Sequence, residues 1–218
     1  YASCMASLRA LFAALLIGLA AVSARAGGGM PETVVQAEVL GGWTTGQGTR
    51  MAALRLTLAP GWKTYWRAPG DVGIPPQFDW AGSDNITAVY ASWPTPEVFF
   101  EQGMRSVGYM REVIIPLHMT SDNGAADMHL SGEMQIGICK DVCIPETAPV
   151  SLTLQVGETQ VPDREGGEQI AAALSNVPAP FEGTAQVSLK EDTATLSLQS
   201  GDVALSRAQA LRFFPYGD

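Results

Sequence analysis

Five short stretches alternate apolar and polar residues with a period of two: VVQAEVL (34–40), LRLTL (54–58), VIIPL (113–117), MHLSGEMQIGI (128–138) and VSLTLQV (150–156). That period turns every second side chain to one face of a strand, so each stretch has one face to bury and one to leave wet. Between them lie LGGWTTGQGT, APGDVGIPP, AGSDN and TSDNGAAD, whose Gly, Pro, Asn and Asp favour turns. Short strands with such connections predict an all-β fold, an antiparallel sandwich over about residues 30–157.

After Val156 the pattern breaks. GETQVPDREGGEQIAAALSNVPAPFEG is polar and punctuated by Pro and Gly, and only EQIAAALSN within it suits a short helix. Residues 158–179 therefore read as a linker with one short helix. AQVSLKEDTATLSL and DVALSRAQALRFF then resume the alternation, so 180–218 is expected to start a second β-rich unit. That unit has too few strands to bury a core alone, and the sequence is expected to be part of a longer protein.

At the other end, Met5, Arg9, an apolar run from Ala10 to Val22 and the triplet Ala24-Arg25-Ala26 have the order of a secretory signal peptide. Residues 1–26 are expected to be upstream residues plus this leader, with cleavage after Ala26. An exported chain meets an oxidising compartment where disulfides persist, and a bacterial periplasm is the expected location. The chain carries 13 Lys and Arg against 22 Asp and Glu, a formal charge of −9, which grows more negative once Arg9 and Arg25 leave. So acidic a protein is a poor partner for nucleic acid, whose phosphates need Lys and Arg. No second apolar run approaches the length of a membrane span.

Of three cysteines, Cys4 precedes the leader, which leaves the pair in GICKDVCIPE (137–146). If Lys140-Asp141-Val142 form a three-residue hairpin loop, Cys139 and Cys143 face each other with Cα atoms about 4.5–5.5 Å apart. A disulfide closes within that window. Closing a loop of about five residues is worth roughly 2 kcal/mol, against about 3 for fifteen, so the pair is poorly placed as a staple. Three uses stay open: a structural link, a pair that opens and closes by thiol–disulfide exchange, or a Cu(I) clip of two thiolates with Met104, Met110 or Met134 nearby. Zinc is disfavoured, since there is one cysteine pair only and His118 and His129 do not form a ligand doublet. Lys140 would lower a neighbouring thiol's pKa and Asp141 would raise it, and no helix N-terminus is predicted beside either sulfur.

GWKTYWRAPGDVGIPPQFDW (61–80), WPTPEVFFEQG (93–103), GYMREVIIPL (108–117) and GICKDVCIPE occur in an order that resembles the N-terminal periplasmic domain of the thiol:disulfide interchange protein DsbD family. The likeness covers about 35–157 and is nearest to that family's copper-tolerance relatives, called ScsB. It implies an immunoglobulin-like sandwich whose redox-active disulfide is Cys139–Cys143, with no other cofactor. The implied activity is protein-disulfide reduction. Electrons would come from a thioredoxin-like domain, fed through a membrane domain. They would pass to periplasmic disulfide isomerases or to thioredoxins of cytochrome c maturation. The membrane would be met only through parts outside this sequence, which would anchor the full-length protein in the inner membrane. Three residues separate the cysteines here where DsbD proper has five.

The family also has a cap loop whose aromatic side chain covers the disulfide. VFFEQGMRSVGYM occupies the matching stretch, which makes Phe99 or Phe100 the candidate cap, Glu101 an acid beside the thiols and Tyr65 a lining residue. On the residues alone, both Phe also suit a core, Glu101 a solvated surface and Tyr65 an ordinary strand aromatic. The alternatives to a reductase are a Cu(I)-binding copper-tolerance module and a binding sandwich with a structural disulfide.

Overall fold

The structure, a computed structural model, describes residues 34–46, 48–156, 164–179 and 183–201. The expected leader and the alternating stretch 202–214 lie outside the described residues. Ten strands build two antiparallel sheets: β1 (Val35–Gly46), β2 (Thr49–Leu58), β3 (Lys63–Gly70), β4 (Gln77–Asp79), β5 (Ala88–Ala91), β6 (Glu97–Glu101), β7 (Met104–Met110), β8 (Glu112–Thr120), β9 (Met128–Cys139) and β10 (Cys143–Leu154). One sheet has the order β1-β2-β8-β5 and the other β10-β9-β3-β7-β6, with β4 also on β9. Together they make an immunoglobulin-like sandwich.

Its core follows from the period-two pattern. Leu54 and Leu56 of β2 and Ile115 and Leu117 of β8 meet Met134, Ile136 and Ile138 of β9, all fully buried. Each such side chain contributes about 1.5–3 kcal/mol by leaving water. The first strand runs further than its turn-like residues suggest, through Gly41–Gly46 with two register shifts. Gly42 permits this, because a Cβ there would lie 2.4 Å from the Met51 carbonyl oxygen.

The helix α1 (Arg164–Ser175) begins four residues before EQIAAALSN. It lays Ile170 and Leu174 on the outer face of the first sheet, against Leu40, Met51, Ala53 and Ile114. Thr95 bonds the Asn176 carbonyl through both its N–H and its hydroxyl, each at 2.8 Å. Beyond it β11 (Thr184–Lys190) and β12 (Thr193–Gln199), among the described residues, pair only with each other and are largely exposed. Among the described residues no helix is long and apolar enough to cross a membrane.

One region departs from one-face burial. Along β9 the outward residues Glu133 and Gln135 are exposed, yet Gly137 and Cys139 are buried; Lys63, Thr64, Tyr65 and Trp66 of β3 are buried in succession. The outer face is covered there as well as the inner one. β3 leaves β9 after Thr64 and β4 rejoins it at Gln135, so the intervening segment must pass over the sheet. On the other flank Gly108 of β7 lets β3 come close, since a Cβ would sit 2.0 Å from the Thr64 carbonyl oxygen. Gly108→Ala should therefore force β3 and β7 apart and destabilise the domain by about 1–3 kcal/mol. A lowered urea midpoint at unchanged slope is the expected reading, and an unchanged midpoint would contradict this close approach.

Candidate functional site

Cys139 ends β9 and Cys143 starts β10, and the ladder pairs them directly, with Ile138 facing Ile144 behind. Lys140, Asp141 and Val142 make the three-residue connection, in which the Lys140 N–H donates to the Val142 carbonyl at 3.1 Å. The Cα atoms are 4.1 Å apart and the sulfurs are bonded. The two sulfurs differ in access. Cys139, on an internal strand, is 1% exposed, whereas Cys143, at the start of an edge strand, is exposed.

Register across the second sheet sets Met110, Lys63, Cys139 and Cys143 in one row. Tyr65, two residues along β3, shares the face of Lys63. Its hydroxyl lies 2.9 Å from Cys139 Sγ and 3.4 Å from Cys143 Sγ. Bonded sulfurs carry no hydrogen, so the phenol is the donor. Burial pushes the Tyr65 phenol's pKa up, and the Glu101 carboxylate pushes it further in the same direction, so the donor keeps its proton at neutral pH. The ring is held by the segment between β3 and β4. A Cβ on Gly73, whose φ is +135°, would lie 2.6 Å from the Tyr65 ring, and Ile74 packs over Gly137.

The other cover is the hairpin of β6 and β7. Its two-residue tip, Gln102-Gly103, has both φ values positive, 51° and 82°, the conformation a tight hairpin with right-handed twist requires. Six residues of β7 separate Met104, which faces Glu101, from Met110 in the row of Lys63. In a flat sheet that spacing is about 20 Å, too far for a side-chain contact. Yet Lys63 Nζ is 2.5 Å from Glu101 Oε2 and 5.3 Å from the centroid of the Phe99 ring, so the hairpin must curl over the outer face. Asp71 anchors the hairpin near its tip by bonding both backbone groups of Arg105, donating its N–H to the carbonyl at 2.8 Å and accepting the N–H at its carboxylate at 2.9 Å.

Of the residues singled out from sequence, Cys139, Cys143 and Tyr65 are in direct contact, and Glu101 and Phe99 converge on Lys63 beside them. Phe100 is 74% exposed, as expected for the strand neighbour of Phe99, which points the other way. Lys63 was not singled out by sequence. Its signal is a lysine inside the apolar run GWKTYW. Of the methionines, Met134 is in the core on the face opposite Cys139, Met110 lies in the row and Met104 at the hairpin tip. Among the described residues no cluster of three or more His, Cys, Asp and Glu could hold a metal ion. His129 pairs with Thr153 at 3.1 Å, ten residues from Cys139 along β9.

The family model for the thiol:disulfide interchange protein DsbD, N-terminal, matches residues 32–155. Among solved structures, the N-terminal periplasmic domain of ScsB from Proteus mirabilis is 29% identical, with a TM-score of 0.60, over 80% of this chain and 68% of that one. The DsbD N-terminal domain of Neisseria meningitidis in its reduced form is 15% identical, with a TM-score of 0.32, over 58% of this chain and 90% of that one. No curated protein matches.

The phenol should matter more to an open pair than to a closed one, because a hydrogen bond to a charged acceptor is worth about 1.5–3 kcal/mol and one to a neutral sulfur less. At a pH above the Cys139 pKa, Tyr65→Phe should therefore make the disulfide harder to reduce, by about tenfold in the equilibrium constant or roughly 30 mV. Equilibration in glutathione buffers reads this directly, and an unshifted midpoint would show that the hydroxyl favours neither state.

Proposed function

Because the chain belongs to the family of DsbD N-terminal domains, a thiol–disulfide interchange module, we propose that it works as a protein-disulfide reductase relay outside the cytoplasm. It would take two electrons from a thioredoxin-like dithiol domain and pass them to oxidised periplasmic proteins, such as a disulfide isomerase or a thioredoxin of cytochrome c maturation. The single observation that carries this reading is the unequal exposure of the two sulfurs. Exchange needs one sulfur that an incoming thiolate can reach and a second that leaves. Cys143 suits the first role and Cys139, under the Tyr65 hydroxyl, the second.

Export supports the same reading: the relative from Proteus mirabilis is a periplasmic domain, and the N-terminal residues have the order of a secretory leader. The covers over Cys139 fit as well, since an unshielded thiol is open to any passing oxidant.

Single-cysteine variants test the assignment. Cys139→Ser leaves the reachable Cys143 thiol and should accumulate a mixed disulfide with a thioredoxin-like partner, seen on non-reducing gels. Cys143→Ser leaves the covered thiol and should trap far less. Folded variants that trap nothing in either form would refute the relay. Tight stoichiometric Cu(I) binding by the reduced domain, lost with either cysteine, would instead favour a metal module.

A further inference from the structure

Lys63 is an ammonium group whose side chain is 7% exposed, in a covered region of the sheet. A buried cation needs a counter-charge. The one it has, Glu101, sits at the hairpin tip with its own side chain 62% exposed. The register partner of Lys63 on β9 is Cys139, and facing side chains start from Cβ atoms about 5 Å apart. Glu101, held to Lys63 by the ion pair, also pushes up the pKa of the Tyr65 phenol, which donates to Cys139. The cation thus stands in the row of the sulfur that would leave, with the carboxylate paired to it.

We propose that Lys63 is a positioning residue for exchange, the counter-charge that makes Cys139 the leaving thiolate, and that Glu101 limits how much of its charge the sulfur receives. This rests on the exchange reading above. A thiolate of the donor dithiol attacks Cys143 Sγ. The new S–S bond joins donor to Cys143, the Cys139–Cys143 bond breaks, and its electron pair stays on Cys139 Sγ. There the Lys63 ammonium and the Tyr65 hydroxyl receive the charge. The donor's second thiolate then attacks its own sulfur in the mixed disulfide and expels Cys143. The donor is oxidised by two electrons, the pair is reduced by two, and the two protons the donor gave up end on Cys139 and Cys143.

A leaving thiol of lower pKa leaves faster, so a neighbouring cation speeds the first step and a neighbouring carboxylate slows it. The loop that joins the pair adds the exposed Lys140 and Asp141. They are opposite in sign, adjacent and screened by solvent, and they stay constant in the comparison that follows.

In a Cys143→Ser background, where Cys139 is the lone thiol of the mature domain, thiolate absorbance against pH gives its pKa. Lys63→Met should raise that pKa by about one unit, Lys63→Arg should leave it near the parent, and Glu101→Gln should lower it by about half a unit. With both cysteines present and at a pH above the Cys139 pKa of both proteins, Lys63→Met should make the disulfide about tenfold harder to reduce, roughly 30 mV. A folded Lys63→Met variant with an unmoved Cys139 pKa would overturn the proposal. Should that variant fail to fold, Glu101→Gln decides, and an unmoved or raised pKa overturns it. The titration needs no partner protein, so its failure removes the role of Lys63 and leaves exchange standing. Failure to trap any partner removes exchange and leaves the electrostatics intact.

Discussion

The register of β9 between β3 and β10 is the constraint on which the rest of the site depends. Side chains alternate strictly along a strand, so a slip of one residue would turn Cys139 inward and expose Ile138. Met134, Ile136 and Ile138 are completely buried in the core, and losing their burial would cost several kcal/mol. Core packing therefore fixes the outer face too. It holds Lys63, Cys139 and Cys143 in one row, with the phenol of Tyr65 above two of them.

From that row follows the inequality of the sulfurs. An internal strand has neighbours on both sides and an edge strand on one. Here the internal cysteine is further covered by two segments that leave the sheet, the Gly73–Ile74 bend and the curled hairpin with Glu101 at its tip. Glycines make both covers possible: Gly137 leaves room for Ile74, and Gly108 lets the hairpin strand approach β3. The chemistry needs little machinery beyond this, because a disulfide carries its own reactivity and the protein has only to govern access and charge.

Strands with one wet face were legible in the sequence: VVQAEVL, LRLTL, VIIPL, MHLSGEMQIGI and VSLTLQV all lie within strands of the sandwich apart from their terminal residues. The hairpin that pairs Cys139 with Cys143 was legible too, from a three-residue spacing inside a strand pattern. Lys63 was not, because WKTYW is buried on both faces and so has no period to read, and because its partner lies 38 residues away across a curl that local sequence does not encode. Phe99 and Phe100 are equivalent in sequence, and only the fold separates them, by facing Phe99 toward Lys63 and Phe100 to solvent. The helix was foreseen as part of a linker, but its packing against the first sheet depends on Leu40, Met51 and Ala53 presenting an apolar outer face. That shows only once the register is known, which sets Leu40 opposite Ala53 on the face away from Leu54 and Leu56.

A disulfide that opens in the proposed exchange should carry little of the fold, and this one sits at the end of a long ladder. β9 and β10 face each other through twelve residue pairs, of which Cys139 and Cys143 are the terminal one. Breaking the S–S bond releases a loop of about five residues, worth roughly 2 kcal/mol in a chain free to wander. Here the ends stay tied by the eleven pairs behind them and by Ile138 in the core, so the reduced chain gains less freedom than that. A structural staple is placed where its loss frees a long segment. This one closes a hairpin that is already closed, and the two sulfurs can therefore part and rejoin while the sandwich around them stays folded.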